Sequence, residues 1–458
     1  MTGTTMSSLL RNYAVLLPAI LLLPICSLAA SETSEEKHWT IEKAVVFALT
    51  NSPDSSIARQ RITEAAAMLQ LAQTAFRPRL TLTASYDQTD TPMYSFGNIL
   101  NQGDFNNTID FNDPGRTDNL NLKAAVTYRL YNGGQDQASV NSARSSQRAS
   151  KLQATVTEHR LGFEVVRAAL RIIQTQEQIE AREAELNAIN ESLSVAQARY
   201  EVGDLLRTEI LNIEVEQSRI TEQLILDRHA HELAGKIFLN LLGLEDGTPV
   251  IVSKEEDIQQ LPAQSARNRR PEIAVMEAQI NAAEAALKKE EGSRYPTIDG
   301  YLSYRYDQGL IDNGSGDSWS AGIRVNYLLY DGDGVSASIA AKKAVLTRLK
   351  EQLVKLKLEI NLEFQKAELS YRQAVERRHV TSKMLEVARE SAQLSRERFR
   401  EGVILTSDLI DAEARLTEAL LRQSAARSQY QVAIANLRHA AGLQQFTETT
   451  EMLLEDQK

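Results

Sequence analysis

Two stretches decide how the chain is read: Arg199-Tyr-Glu-Val-Gly203-Asp-Leu-Leu-Arg-Thr208-Glu209-Ile-Leu-Asn-Ile-Glu214, and 199 residues further on Arg398-Phe-Arg-Glu-Gly402-Val-Ile-Leu-Thr-Ser407-Asp408-Leu-Ile-Asp411-Ala-Glu413. They share the Arg, the Gly, Leu206 with Leu405, and Glu214 with Glu413. They keep type at the aromatic (Tyr200, Phe399), the hydroxyl (Thr208, Ser407) and the acid (Glu209, Asp408). Each reads as a tight reversal between two helices. An apolar-periodic segment runs into an aromatic, Gly supplies the left-handed residue at the helix stop, and Thr208 or Ser407 caps the next helix with an acid in its first turn.

Outward from these turns the duplication continues. Tyr128, Leu130, Tyr131, Gly133, Ala138 and Ser139 return at the same offset as Tyr327, Leu329, Tyr330, Gly332, Ala337 and Ser338. Further upstream the offset becomes 218, pairing Pro53, Ile62, Ala65, Leu69, Pro78 and Tyr86 with Pro271, Ile280, Ala283, Leu287, Pro296 and Tyr304. The first copy therefore carries 19 extra residues between Pro78 and Tyr128. One large unit is built twice, which is a different architecture from an array of short repeats.

Each unit begins with a helix that a proline ends, and the period then changes. Leu80 to Asp87 and Leu120 to Leu130 alternate apolar and polar residues, as do Ile298 to Asp307 and Trp319 to Tyr330. Alternation of this kind marks strands with one apolar and one polar face. Tyrosines crowd these regions (Tyr86, Tyr94, Tyr128, Tyr131, Tyr295, Tyr301, Tyr304, Tyr306, Tyr327, Tyr330), with Trp319 among them. Half-buried strands on an ordinary core also favour Tyr. Strands of about ten residues behind a secretory leader suit a membrane barrel with aromatic girdles, in which Leu122, Val126, Tyr128, Ile323, Val325 and Tyr327 face lipid.

The rest is helical. No proline interrupts Gln135 to Tyr200 or Val335 to Phe399, and about 65 residues at about 1.5 Å each span roughly 100 Å. Apolar residues at Leu186, Ile189, Leu193, Ala196 and Tyr200 step by three and four, as coiled-coil packing requires. Shorter helices return from each Gly turn, Thr208 to Leu242 and Ser407 to Ala441, and each closes at a Gly-Leu pair (Gly243, Gly442). The resulting organisation is a leader at 1–30, a first repeat at 31–247, a linker at 248–270, a second repeat at 271–443 and a polar tail at 444–458.

Composition excludes several classes. With 51 basic against 61 acidic residues the net charge is −10, which argues against nucleic acid as a partner. The leader has Arg11 before an apolar run from Ala14 to Ile25 and small residues at Ser27 to Ala30, the form of a cleaved secretory signal. Cys26, the single cysteine, lies in it, so the mature chain is expected to have no thiol and no disulfide. The six histidines (His38, His159, His229, His231, His379, His439) lack metal-ligand spacing on a helix face. With no nucleophile elbow or phosphate loop, neither an enzyme nor a cofactor is expected.

Four strands cannot close a barrel, so edges and apolar stripes must be covered by other chains, and three copies supply an even twelve strands. A periplasmic coiled-coil adaptor would share the long helices but not two pairs of amphipathic strands.

The duplicated order of helix, two strands, long helix, Gly turn and helix, with Tyr-x-x-Gly and Asp408-Leu-Ile-Asp411-Ala, resembles the TolC-like outer-membrane factors over essentially the whole mature chain. The resemblance implies a mostly α chain with a transmembrane β-barrel part: a homotrimer with a 12-stranded barrel in the outer membrane, continued by a periplasmic α-helical barrel. It implies docking to a periplasmic adaptor and an inner-membrane RND or ABC transporter, in drug or metal efflux or in type I secretion. The tip turns, Tyr200, Gly203, Asp204, Arg398, Gly402 and Val403, match the family's adaptor-docking end. Asp408 and Asp411 match its constriction-lining pair, with Phe399, Thr208 and Glu209 beside them. Phe399 stands where several members carry Tyr, and Ile404 where some carry Arg. As acids of a first helical turn, Glu209 and Asp408 also complement the helix dipole, whereas Asp411 has the neutral counterpart Asn212.

Overall fold

The computed structural model describes residues 37–245, 250–254, 261–262, 270–311 and 313–446. The leader with Cys26, residues 447–458 of the tail and most of the linker lie outside them. The first unit runs β1 (Lys37–Trp39), α1 (Ile41–Asn51), α2 (Pro53–Gln73), β2 (Arg79–Thr89), α3 (Pro92–Asn101), β3 (Thr117–Tyr131), α4 (Gln135–Glu201) and α5 (Arg207–Leu242). After β4 (Val250–Val252) the second unit runs α6 (Pro271–Gly292), β5 (Thr297–Gln308), β6 (Ser315–Asn326), α7 (Gly334–Arg400) and α8 (Thr406–Ala440). Prolines open α2, α3 and α6 at positions where a missing N–H costs nothing. The linker is partly structured, since β4 pairs in parallel with β1, Trp39 opposite Val252.

The other four strands make one antiparallel sheet in the order β2-β3-β5-β6, so the pairing of β3 with β5 joins the two repeats. In this register Leu122 opposes Tyr306, Val126 opposes Leu302, and Gly300 sits between Tyr128 and Ile323. Opposed residues project to the same side. One face therefore carries Leu80, Leu82, Leu122, Val126, Tyr128, Leu302, Tyr304, Trp319, Ile323 and Val325, and the other Thr83, Lys123, Ser303, Arg305, Ser320 and Arg324. Most of the large apolar side chains on the first face are exposed.

Two strand expectations change. β6 ends at Asn326 opposite the first residue of β5, leaving Tyr327 to Tyr330 without a partner strand among the described residues, so Tyr327 lies beyond the sheet. In the first copy β3 continues to Tyr131 through a register shift after Arg129 that brings Tyr131 opposite Ile298. The 19-residue insertion holds the helix α3, and Tyr94 is on that helix.

Helices α4 and α7 are 67 residues each, about 100 Å at about 1.5 Å per residue. α4 is the central strut: α1, α2, α5, α6 and α8 all pack on it. Its middle third forms the main core, where Val165, Val166 and Ala169 meet Trp39, Val45, Phe238, Leu242 and Ala435. α7 packs on α6 and α8 and leaves Val354, Leu358, Leu369, Val380 and Val387 exposed along its other flank. Among the described residues no helix is long and apolar enough to cross a membrane.

Candidate functional site: hairpin tips, midsection and sheet

At the end of the helices farthest from the sheet, α4 turns into α5 and α7 into α8. Gly203 (φ +82°) and Gly402 (φ +78°) take the left-handed conformation that the sequence assigns them. Around Gly203 its own N–H donates to the Tyr200 carbonyl at 3.0 Å and the Asp204 N–H to Arg199 at 2.8 Å; around Gly402 the matching bonds run to Phe399 and Arg398 at 3.1 and 2.9 Å. These are Schellman closures, which satisfy the last carbonyls of each long helix.

The expected hydroxyl caps are absent. α5 begins after Leu206 and α8 after Leu405, both extended and without a side-chain cap bond, which places Thr208 and Ser407 inside the first turn. Once the Schellman bonds set the exit direction, the chain re-enters a helix two residues earlier than a hydroxyl cap would allow. The acids fall where expected: Glu209 and Asp408 lie in the first turns of α5 and α8.

Both tips share one small core: Ile189, Ala196, Ile210, Ile213, Ile220 and Leu409 close around Phe399. Phe399 is only 2% exposed, so its ring supports the tip from inside and cannot line an opening. That corrects its expected place beside the acids.

Arg199 ties the hairpins together. Its Nη1 donates to the Phe399 carbonyl at 3.2 Å, Nη2 stands 3.4 Å from Asp204 Oδ2, and the guanidinium lies over the Phe399 ring, 5.7 Å from its centre. A cation is thereby set against the C-terminal carbonyls of α7, where the helix dipole favours it. Its repeat counterpart Arg398 is exposed. Nothing in the repeat distinguishes the two arginines, because the link depends on which hairpin packs inside the other's reach.

On α8, Asp408, Asp411 and Arg415 are exposed, and Asp411 Oδ2 lies 3.9 Å from Arg415 one turn on. The neighbouring Glu413 is buried and accepts from Arg396 Nη2 at 2.6 Å across the α7/α8 hairpin. Its repeat counterpart Glu214 is exposed. Thr208 is exposed and Glu209 half-buried. Tyr200, Val202, Leu206, Val403 and Leu405 stand exposed around the two glycines, and Arg398 and Asp204 frame them. Val202, Leu206 and Leu405 escape the motif reading; the signal available was a cluster of large apolar residues next to turn glycines.

A second polar cluster lies at mid-height. Arg270, just before α6, bonds Glu272 at 2.9 Å, pairs with Glu363 of α7 at 3.1 Å and donates to the last carbonyls of α8, His439 and Ala440, at 3.2 and 3.3 Å. The His439 ring stacks on Phe163 of α4 at 5.2 Å. Burial holds His159 and His439 below the ordinary histidine pKa; Arg270 lowers His439 further, while Glu272 opposes the shift of His159.

A strand pair duplicated into a four-stranded amphipathic sheet, continued by helices of about 100 Å that end in paired Gly turns, defines the outer-membrane channel-tunnel class. Solved structures agree in fold. The outer membrane protein VceC of Vibrio cholerae superposes with TM-score 0.73 at 17% identity, over 88% of this chain and 96% of that one. The CmeC channel of Campylobacter jejuni does so with TM-score 0.77 at 15% identity, over 91% and 89%. Among relatives by sequence, the outer membrane efflux protein BepC of Brucella suis biovar 1 (strain 1330) is 24% identical over 328 residues, 70% of this chain and 66% of BepC. The match thus spans just under two thirds of that relative's length. The chain belongs to the outer membrane efflux protein family, whose pattern matches residues 45–231 and 263–443. It is an outer-membrane protein that extends into the periplasm. Family and fold are those of channels, and channels of this family are trimeric and work with adaptors and inner-membrane transporters.

Proposed function

We propose that three copies of this chain close into one channel-tunnel, a passive duct from a periplasmic adaptor and an inner-membrane RND or ABC transporter to the outside. The carrying observation is the pair of open edges. Among the described residues β2 and β6 end the sheet unpaired, and none covers the exposed apolar flank of α7. Free strand edges and apolar stripes on this scale call for identical partners around an axis. Three copies give twelve strands, with Leu122, Val126, Tyr128, Ile323 and Val325 toward lipid, Tyr327 just below them, and a ring of helices beneath.

The exposed apolar residues around Gly203 and Gly402, with Asp204 and Arg398, form the adaptor-docking end. Asp408 and Asp411, free of the tip core, form the acidic constriction, with Thr208 and Glu209 on the companion hairpin. The test is reconstitution of purified protein in planar bilayers: heat-resistant trimers with cation-selective conductance are expected. Monomers without conductance would reject the proposal.

A further inference from the structure

The residues that the first repeat has and the second lacks build α3, and α3 lies against the polar face of the sheet at the end away from the long helices. Its seat is specific. Gln102 donates to the Asp118 carbonyl at 2.7 Å and to Asn119 Oδ1 at 3.3 Å, Asn98 donates to Thr117 Oγ1 at 3.1 Å, and Ser95 donates to the Gly115 carbonyl. Asn119 and Asn121 share the polar face with Asp307, to which both donate, at 2.7 and 2.8 Å. Gly316 opposes Asp307 and faces the same way. A Cβ there would stand 2.1 Å from the carbonyl oxygen of Asn101, so only glycine lets the helix approach this closely.

Ser95, Asn98 and Gln102 are buried where the helix bonds the chain at the start of β3, and Ile99 is buried beside them, 7% exposed. Met93, Tyr94 and Leu100 nevertheless stand 83%, 69% and 50% exposed on the rest of the helix. A surface helix in water turns such large apolar side chains inward.

We propose that α3 forms a second constriction at the outer mouth, an apolar collar made by α3 of three copies facing one another across the pore axis. It rests on the channel reading above: with the apolar sheet face toward lipid, the polar face and the helix seated on it enclose the lumen. Twelve strands about 4.8 Å apart and tilted about 45° make a barrel roughly 25 Å across. A helix with its side chains is about 10 Å wide, so three of them fill most of that opening. The occupant of the exposed face is therefore the same helix from the other two copies. Hydrophobic constrictions restrict flow by dewetting, so the collar slows hydrated ions and favours permeants with apolar surface, a selection by polarity that complements the acidic tips.

Single cysteines, Met93→Cys on the collar and Ser320→Cys on the polar face at mid-sheet, are introduced into the mature chain and labelled with a bulky maleimide in reconstituted heat-resistant trimers. Conductance should fall by about half or more for each label. A fall at Ser320→Cys with none at Met93→Cys would overturn the collar and leave the barrel orientation standing. No fall at either would overturn that orientation and the collar with it. A separate variant, Met93→Ser with Tyr94→Ser and Leu100→Ser, should raise conductance about twofold; unchanged conductance in well-formed trimers would also reject the collar.

Discussion

At Gly402 two constraints meet. Its φ of +78° suits glycine, and a Cβ would stand 3.0 Å from Arg199 Nη2, the group that ties the hairpins. A β-branched residue held in that conformation costs of order 1–3 kcal/mol. Gly402→Val should leave heat-resistant trimers at near-normal yield, since barrel and midsection are far away, and abolish efflux and crosslinking to an adaptor. Unchanged efflux would move docking elsewhere. Asp408 and Asp411 permit a cleaner separation of roles. As dipole partners they contribute only about 0.3–1 kcal/mol, and the exposed Asp411–Arg415 pair adds about 0–1 kcal/mol. Asp408→Asn combined with Asp411→Asn should therefore leave trimer yield near normal while reducing cation selectivity and weakening block by a trivalent cation from the periplasmic side. Identical block in single-channel recordings would return both acids to local helix stabilisation.

Among the elements, the junction of α4, α6, α7 and α8 carries a pH dependence of definite sign. His159 and His439 are held below their ordinary pKa mainly by burial, with Arg270 lowering both and Glu272 and Glu363 opposing. A depressed histidine pKa means that the unfolded segment binds the proton more readily. The stabilisation is thus full above about 6.5, the unfolded value, and declines as the pH falls toward the folded one. Hydrogen exchange in the middle third of α4 and the end of α8 should accelerate, relative to the intrinsic rate, between about pH 7.5 and about pH 5.5. His159→Gln with His439→Gln should flatten that dependence. An unchanged slope in the double variant would assign it to the surrounding carboxylates.

For the whole molecule the controlling feature is which side of the sheet meets lipid. Val126 lies mid-sheet opposite Leu302, flanked on the apolar face by Ala124 and Tyr128. Val126→Arg should cost roughly 2–4 kcal/mol near the bilayer midplane and reduce assembled trimer in outer membranes. Lys123 and Arg324 already carry charge on the other face, so Thr83→Lys there should be tolerated. Normal assembly of Val126→Arg together with failure of Thr83→Lys would reverse the barrel.

By itself the sequence determined the lengths and order of the elements. Proline placement and three-and-four stepping predict helices that end within a residue or two of α4, α5, α7 and α8, and period-two alternation predicts the two faces that the ladder brings together. These signals are local, since each residue reports its own periodicity or its own φ. Tertiary structure decided the rest. Pairing length stopped β6 at Asn326 and left Tyr327 outside the sheet, and the Schellman exits took the capping role from Thr208 and Ser407. Hairpin packing buried Phe399 and chose Arg199 over Arg398 for the link. The insertion between Pro78 and Tyr128 shows the division most clearly. Its composition of Asn, Asp, Gly and Phe carries no period, and only the meeting of Gln102 and Asn98 with β3 sets a helix there with Met93, Tyr94 and Leu100 outward. The helix is bonded to the chain at the start of β3, fewer than twenty-five residues on, but its close approach also needs Gly316 of β6, more than two hundred residues away, which no local pattern encodes.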